Sequence, residues 1–167
     1  MQLDQGSNVS SPVIENDGVY ETAIIEEYRK SNTPITILLV DDEHLYLTVL
    51  RNQITSKSEL ARGLTIDSAM SGEEAITLSS QKKYDLIIMD LDMGKNKLNG
   101  FETTKILRSG GSKSMICIHS NRTGTQSYRE AMDSGAGYFI GKTMPREHFL
   151  KLIFSVRHQS SPNGVLN

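Results

Sequence analysis

The sequence predicts an α/β fold in which a doubly wound parallel sheet is covered by helices on both faces. Five strand-like apolar runs alternate with five helical stretches from Ile35 onward. The runs are mostly apolar, which points to a parallel sheet covered on both faces. Three of them end in charged groups: Ile-Leu-Leu-Val at 37–40 runs into Asp41 and Asp42, Leu-Ile-Ile-Met at 86–89 into Asp90, and Tyr-Phe-Ile-Gly at 138–141 into Lys142. With right-handed crossovers these groups meet on one rim of the sheet, where open α/β folds bind ligands.

Residues 1–18 are rich in Ser, Asn, Asp, Gln and Gly without a hydrophobic period, and read as a flexible tail. An extra N-terminal helix is expected from Val19 to Lys30, because Tyr20, Ile24 and Tyr28 recur every four residues. Ser-Asn-Thr-Pro at 31–34 ends it, since the residue before a proline avoids the helical region. Strands are expected near 35–40, 64–69, 86–90, 115–119 and 137–140, and helices near 44–56, 72–82, 100–109, 125–134 and 145–157. Ser71 with Glu74 three residues on forms a capping-box pattern for the second of these helices. Pro145 suits the first turn of the last. The expected boundaries are a tail with its helix over 1–33, one domain over 34–158, and a polar tail over 159–167.

The chain of 167 residues, 37% hydrophobic and 23% charged, is long enough for one well-filled core. A formal net charge of −2 offers no electrostatic footprint for nucleic acid. No apolar run is long enough to span a membrane, and the N-terminus lacks the basic and apolar regions of a secretory signal, so the expected location is cytoplasmic. Cys117, inside Met-Ile-Cys-Ile, is expected to be a small buried core residue. His44 is expected to face solvent in a first helical turn and His119 to pack or hydrogen-bond at a strand end; neither has metal-ligand spacing.

Like charges packed together raise one another's pKa unless a cation neutralises them. A hard divalent ion with oxygen ligands answers that need for Asp41, Asp42 and Asp90. One carboxylate is then free to attack phosphorus beside a lysine that holds phosphoryl oxygens. Either member of an acidic pair after a strand can instead simply stabilise the positive end of the next helix. The ordered set argues for the sharper reading: an acidic pair after the first strand, Asp90 after the third, Ser120 after the fourth and Lys142 after the fifth.

From about Ile35 to Arg157 the chain resembles a response-regulator receiver domain, the CheY-like family of two-component signalling. The resemblance implies a flavodoxin-like (βα)5 fold with strand order 2-1-3-4-5. It implies Asp90, in Ile-Ile-Met-Asp-Leu-Asp-Met, as phosphoacceptor. Asp41 and Asp42, in Leu-Val-Asp-Asp-Glu, match the acidic pair that holds Mg²⁺, with Asp42 the more direct ligand and Asp41 acting mainly through water. Asp92 falls where the family offers a backbone carbonyl to the metal. Ser120 and Lys142 match the hydroxyl and the lysine that contact the phosphoryl group, and Phe139 the aromatic switch position. A phosphohistidine on a histidine kinase or phosphotransfer protein is the implied donor. The implied output is a protein target, or a homodimer, through the face of the fourth helix, fifth strand and fifth helix. Such a protein is not an enzyme in the ordinary sense, although it promotes its own phosphorylation and dephosphorylation.

The sequence departs from the family pattern in several places. In the loop after Asp90, Gly94 stands for the usual proline, and Gly100 falls ten residues after Asp90, a two-residue insertion. Thr143 replaces the proline that follows the lysine, Asn121 a small residue, and Phe139 lacks a phenol hydroxyl. Asp92 and Arg122 flank the expected pocket mouth, where two readings stand: a pair that shields an acyl phosphate from water, or two independent exposed charges. Three competing readings have distinct signatures. Ala136-Gly-Tyr-Phe-Ile-Gly-Lys-Thr143 fits a relaxed P-loop of an NTPase, which requires a strand before the motif and a helix starting at its Lys-Thr. Asp90-Leu-Asp92 resembles the Asp-x-Asp of haloacid-dehalogenase-type phosphatases, but there the motif follows the first strand. A receiver acting as a binding scaffold, without phosphorylation, is the remaining alternative.

Overall fold

In the computed structural model the described residues are Glu26, 33–56 and 62–159. The expected N-terminal tail and helix lie outside them except for single positions, as does the C-terminal tail beyond residue 159. The elements alternate throughout: β1 (Ile35–Val40), α1 (His44–Thr55), β2 (Leu64–Ala69), α2 (Gly72–Gln81), β3 (Leu86–Asp90), α3 (Gly100–Ser109), β4 (Met115–Ser120), α4 (Thr125–Ser134), β5 (Tyr138–Gly141) and α5 (Glu147–Gln159). All four strand pairings are parallel, in the order β2-β1-β3-β4-β5. None of the described helices is long and apolar enough to cross a membrane.

The central strands β1 and β3 are apolar on both faces because two cores need filling, whereas the edge strand β2, Leu-Thr-Ile-Asp-Ser-Ala, is only partly buried. Ile35, Ile37 and Leu39 of β1, with Leu86 and Ile88 of β3, pack beneath Leu47, Leu50 and Ile54 of α1 and Phe149 and Ile153 of α5. The alternate residues Leu38, Val40, Ile87, Met89, Ile116 and Ile118 meet Ala75 of α2, Leu107 of α3 and Ala131 of α4. Period-two geometry sends successive side chains to opposite faces, so neither face can carry a polar alternation. Cys117 is fully buried in the first of these cores, and burial pushes its thiol up to about 12.

Side-chain caps set the starts of α2 and α3. Ser71 accepts a hydrogen bond from the Glu74 amide, while the Glu74 carboxylate reaches one residue further back, to the Met70 amide. The complete reciprocal box belongs to α3: Asn99 accepts from the Glu102 amide and Glu102 accepts from the Asn99 amide. That box fixes the end of the inserted loop. Gly100 follows it, and an added Cβ there would lie 2.4 Å from the Asp90 carbonyl oxygen, so α3 starts against the end of β3.

Candidate phosphoryl-transfer site

The strand order reverses direction between β1 and β3, and the candidate site sits at that switch point on the carboxyl rim. Val40 and Met89 are register partners, so Asp41 and Asp90 leave adjacent strands at the same level. Asp41, Asp42 and Asp90 each place a carboxylate oxygen within 4.8 Å of the others. Asp41 and Asp90 are buried and Asp42 half-buried. Three hard oxygen donors at this spacing fit a divalent ion such as Mg²⁺.

Lys142 arrives from the far side. Its backbone amide donates to the Ser120 carbonyl, which ties the end of β5 to the end of β4. Its ammonium then bonds Asp41 Oδ2 at 2.7 Å and lies 3.0 Å from Asp90 Oδ1. The Lys142 backbone is therefore anchored without a proline at position 143. Burial pulls the lysine pKa down, but the hydrogen bonds its ammonium donates to Asp41 and Asp90 outweigh it and the net shift is upward. Burial pushes the Asp90 carboxyl up to about 6 even though Lys142 opposes it. Asp90 is thus a desolvated carboxylate that gains from any further cation.

Ser120 is buried at the end of β4, one residue past His119, the register partner of Asp90. Its Oγ accepts from the Arg122 amide at 3.0 Å, which leaves its own hydrogen free to donate. Asp41 Oδ1 also accepts from the Glu43 amide, so part of its role is to order the turn into α1. Asp92 and Arg122 are brought together: Arg122 Nε donates to Asp92 Oδ2 at 3.0 Å, and a second contact joins Nη2 to Oδ1. Both side chains are mostly exposed. Phe139 is half-buried on the edge strand and meets Tyr128 of α4 edge-on, with centroids 6.4 Å apart.

The inserted loop has its own reason for glycine. Gly94 has φ +86, a conformation proline cannot adopt, and a Cβ there would stand 3.3 Å from Asp42 Oδ2. The P-loop signature is absent: 138–141 form a strand, α4 precedes it, and the next helix begins at Glu147. Neither histidine joins the carboxylates, and His44 is exposed as expected. One neighbour of the site, Tyr46, was not singled out from sequence. Tyr46 places its ring face 4.2 Å from the Lys142 ammonium. Its hydroxyl lies 3.3 Å from Nε2 of His119, a residue expected only to pack or hydrogen-bond. Burial and the nearby Lys142 hold His119 down at about 3, so it is neutral. The available signal for Tyr46 was its place one helical turn after Asp42. A cavity of about 940 Å³ opens at the opposite rim, among Lys83, Asp85, Ile106 and Lys113. It is remote from the carboxylates and plays no part in their chemistry.

A family profile described as the response regulator receiver domain matches residues 37–154. The chain belongs to this family. As a receiver domain it is similar to two-component response regulator 24 of Arabidopsis thaliana, 31% identical over 125 residues, covering 74% of this chain and 84% of that protein. It is also similar to the nitrate/nitrite response regulator NarL of Escherichia coli K12, 30% identical over 133 residues, covering 80% of this chain and 57% of NarL. Against the response regulator MprA of Mycobacterium (strain KMS) it spans 54% of the relative, about half its length. Among solved structures, the receiver domain of the Francisella response regulator 1452 superposes with a TM-score of 0.67 at 21% identity, over 76% of this chain and 99% of that one. CheY of Borrelia burgdorferi, solved with CheX, BeF3 and magnesium, gives 0.63 at 26% identity, over 74% and 90%. The CheY-like fold and the place in two-component signalling are therefore those expected from the sequence.

Proposed function

We propose that Asp90 accepts a phosphoryl group from a phosphohistidine of a histidine kinase or phosphotransfer protein, and that the acyl phosphate switches a protein-binding surface. The observation that carries this reading is the position of Lys142, bonded to Asp41 and 3.0 Å from Asp90 at the rim where three carboxylates converge. The nucleophile is an Asp90 oxygen: a new O–P bond forms as the P–N bond of the donor breaks, and the imidazole nitrogen leaves with its electron pair. Asp41, Asp42 and Asp90, with the Asp92 backbone carbonyl as a fourth candidate ligand, would hold Mg²⁺. When bound, the ion supplies positive charge against the developing phosphoryl charge.

The remaining work belongs to side chains already in place. Lys142 neutralises phosphoryl oxygens on one side, and Ser120 has a hydroxyl hydrogen to give them by a charge-assisted bond. The Asp92–Arg122 pair stands over the mouth and limits the approach of water to the acyl phosphate. Inward movement of Ser120 opens space for Phe139, which would then leave Tyr128 and alter the face formed by α4, β5 and α5. That face is the candidate contact for a downstream protein or a second copy. In support, the solved Borrelia CheY carries BeF3 and magnesium together with the protein CheX.

Intact mass after incubation of the full chain with acetyl phosphate and Mg²⁺ tests this. One phosphoryl adduct is expected, absent from Asp90→Asn and from samples with EDTA. A wild-type chain that never gains the adduct would turn the reading toward a phosphorylation-independent binding scaffold.

A further inference from the structure

Lys142 presents a mechanical problem. It is a long, flexible side chain at the end of a four-residue strand, and Thr143 follows it. The two carboxylates that hold it cannot be its whole support, because one of them, Asp90, is the group whose charge changes on phosphorylation.

We propose that Tyr46 is a positioning residue for Lys142, with His119 holding the Tyr46 ring in place; this rests on the phosphoacceptor reading above. Four elements converge to make the support. Tyr46 comes from the first turn of α1, His119 from β4, Phe149 from α5 and Lys142 from the end of β5. The ammonium of Lys142 stands 4.2 Å from the Tyr46 centroid. The Tyr46 hydroxyl is 3.3 Å from His119 Nε2. His119 is only 2% exposed, and Phe149 meets its ring at 88° with centroids 5.0 Å apart, so the imidazole has no freedom to turn.

A residue that merely filled space here would need neither a face toward the ammonium nor a hydroxyl. Tyr46 uses both, and without it the buried His119 Nε2 loses the partner seen here. The chemistry differs from that of a carboxylate. A carboxylate oxygen holds an ammonium along a bond direction, whereas an aromatic face attracts a cation over its whole area. On the ring, the Lys142 ammonium can leave Asp90 Oδ1 for a phosphoryl oxygen without losing its support. Tyr46 is therefore a hinge plate for the lysine.

Two measurements on the full chain test this, one of them independent of phosphorylation. Without any phosphodonor, the Lys142 Hε proton resonances, assigned by their loss in Lys142→Arg, should be displaced upfield by the Tyr46 ring. The displacement should persist in Tyr46→Phe and vanish in Tyr46→Leu. With acetyl phosphate and Mg²⁺, Tyr46→Leu should slow adduct formation about tenfold while Mg²⁺ affinity changes less than about twofold, and Tyr46→Phe should slow it less. Undisplaced Lys142 resonances in the wild type would overturn the proposal. So would a Tyr46→Leu rate equal to wild type, or a loss of rate that only follows a parallel loss of thermal stability and Mg²⁺ affinity. A wild-type chain that shows the displacement but never gains a phosphoryl group sinks the phosphoacceptor reading alone, and leaves Lys142 held by Tyr46.

Discussion

Lys142 and Asp41, 101 positions apart in sequence, form an ion pair of 2.7 Å whose side chains are 13% and 3% exposed. This pair joins the first strand to the last across the rim of the sheet, and it leaves little water to screen either charge. Removing the cation strands two buried carboxylates. Lys142→Ala should therefore lower stability by about 3–5 kcal/mol in metal-free buffer, as breaking one side of a buried pair does. Mg²⁺ should restore part of the loss by binding the folded chain only. Urea unfolding with EDTA and with Mg²⁺ measures both, and an unchanged midpoint in EDTA would contradict the account.

Asp90 supplies a test in pH. Its carboxyl titrates at about 6 in the fold because burial outweighs Lys142, against an ordinary value of 3.8 in the unfolded chain. The unfolded state therefore loses its proton first, and stability falls as pH rises from 3.8 toward 6. Asp90→Asn removes this loss. In EDTA at pH 7.5 the variant should be more stable than wild type by about 2 kcal/mol, with no gain below pH 4. Thermal unfolding across that range should show the two curves converging on the acid side.

Arg122 and Asp92 separate lifetime from stability. The pair is exposed, so Arg122→Ala should change unfolding free energy by less than about 0.5 kcal/mol. The same variant should lose its phosphoryl adduct several-fold faster, because water then reaches the acyl phosphate. Decay of the adduct followed by mass at constant Mg²⁺ checks this, and an unchanged lifetime would remove the shielding role.

Gly94 gives a prediction that runs against the family pattern. Restoring the usual residue with Gly94→Pro should weaken Mg²⁺ binding and lower thermal stability, since φ +86 lies outside what proline allows. Gly94→Ala should do the same more mildly, by about 1 kcal/mol, and push on the Asp42 carboxylate. Mg²⁺ titrations followed by thermal shift rank the three chains, and a Gly94→Pro equal to wild type would show that the loop repacks freely.

Most of the architecture was legible in the residues. β1 falls at 35–40 and β3 at 86–90, where apolar runs placed them, because these central strands are buried on both faces and so carry a continuous apolar signal; α3 falls at 100–109, where the helical period placed it. The expected capping box at Ser71 is only half-formed, while the complete one lies at Asn99–Glu102, at the end of the inserted loop. The expected start of the last helix at 145 moves to Glu147, within the range over which helix ends vary.

Residue order alone places Asp41, Asp42, Asp90, Ser120 and Lys142 at the strand ends. Strand alternation and right-handed crossover leave them little choice of rim. How they are joined follows from packing between distant elements. That Lys142 bonds Asp41 as well as facing Asp90, that Arg122 closes on Asp92, and that Tyr46 and His119 stand behind the lysine all depend on side chains from distant elements meeting at contact distance. Local periodicity cannot report such distances, because they are set by how the helices and strands pack and not by the order of residues within any one of them.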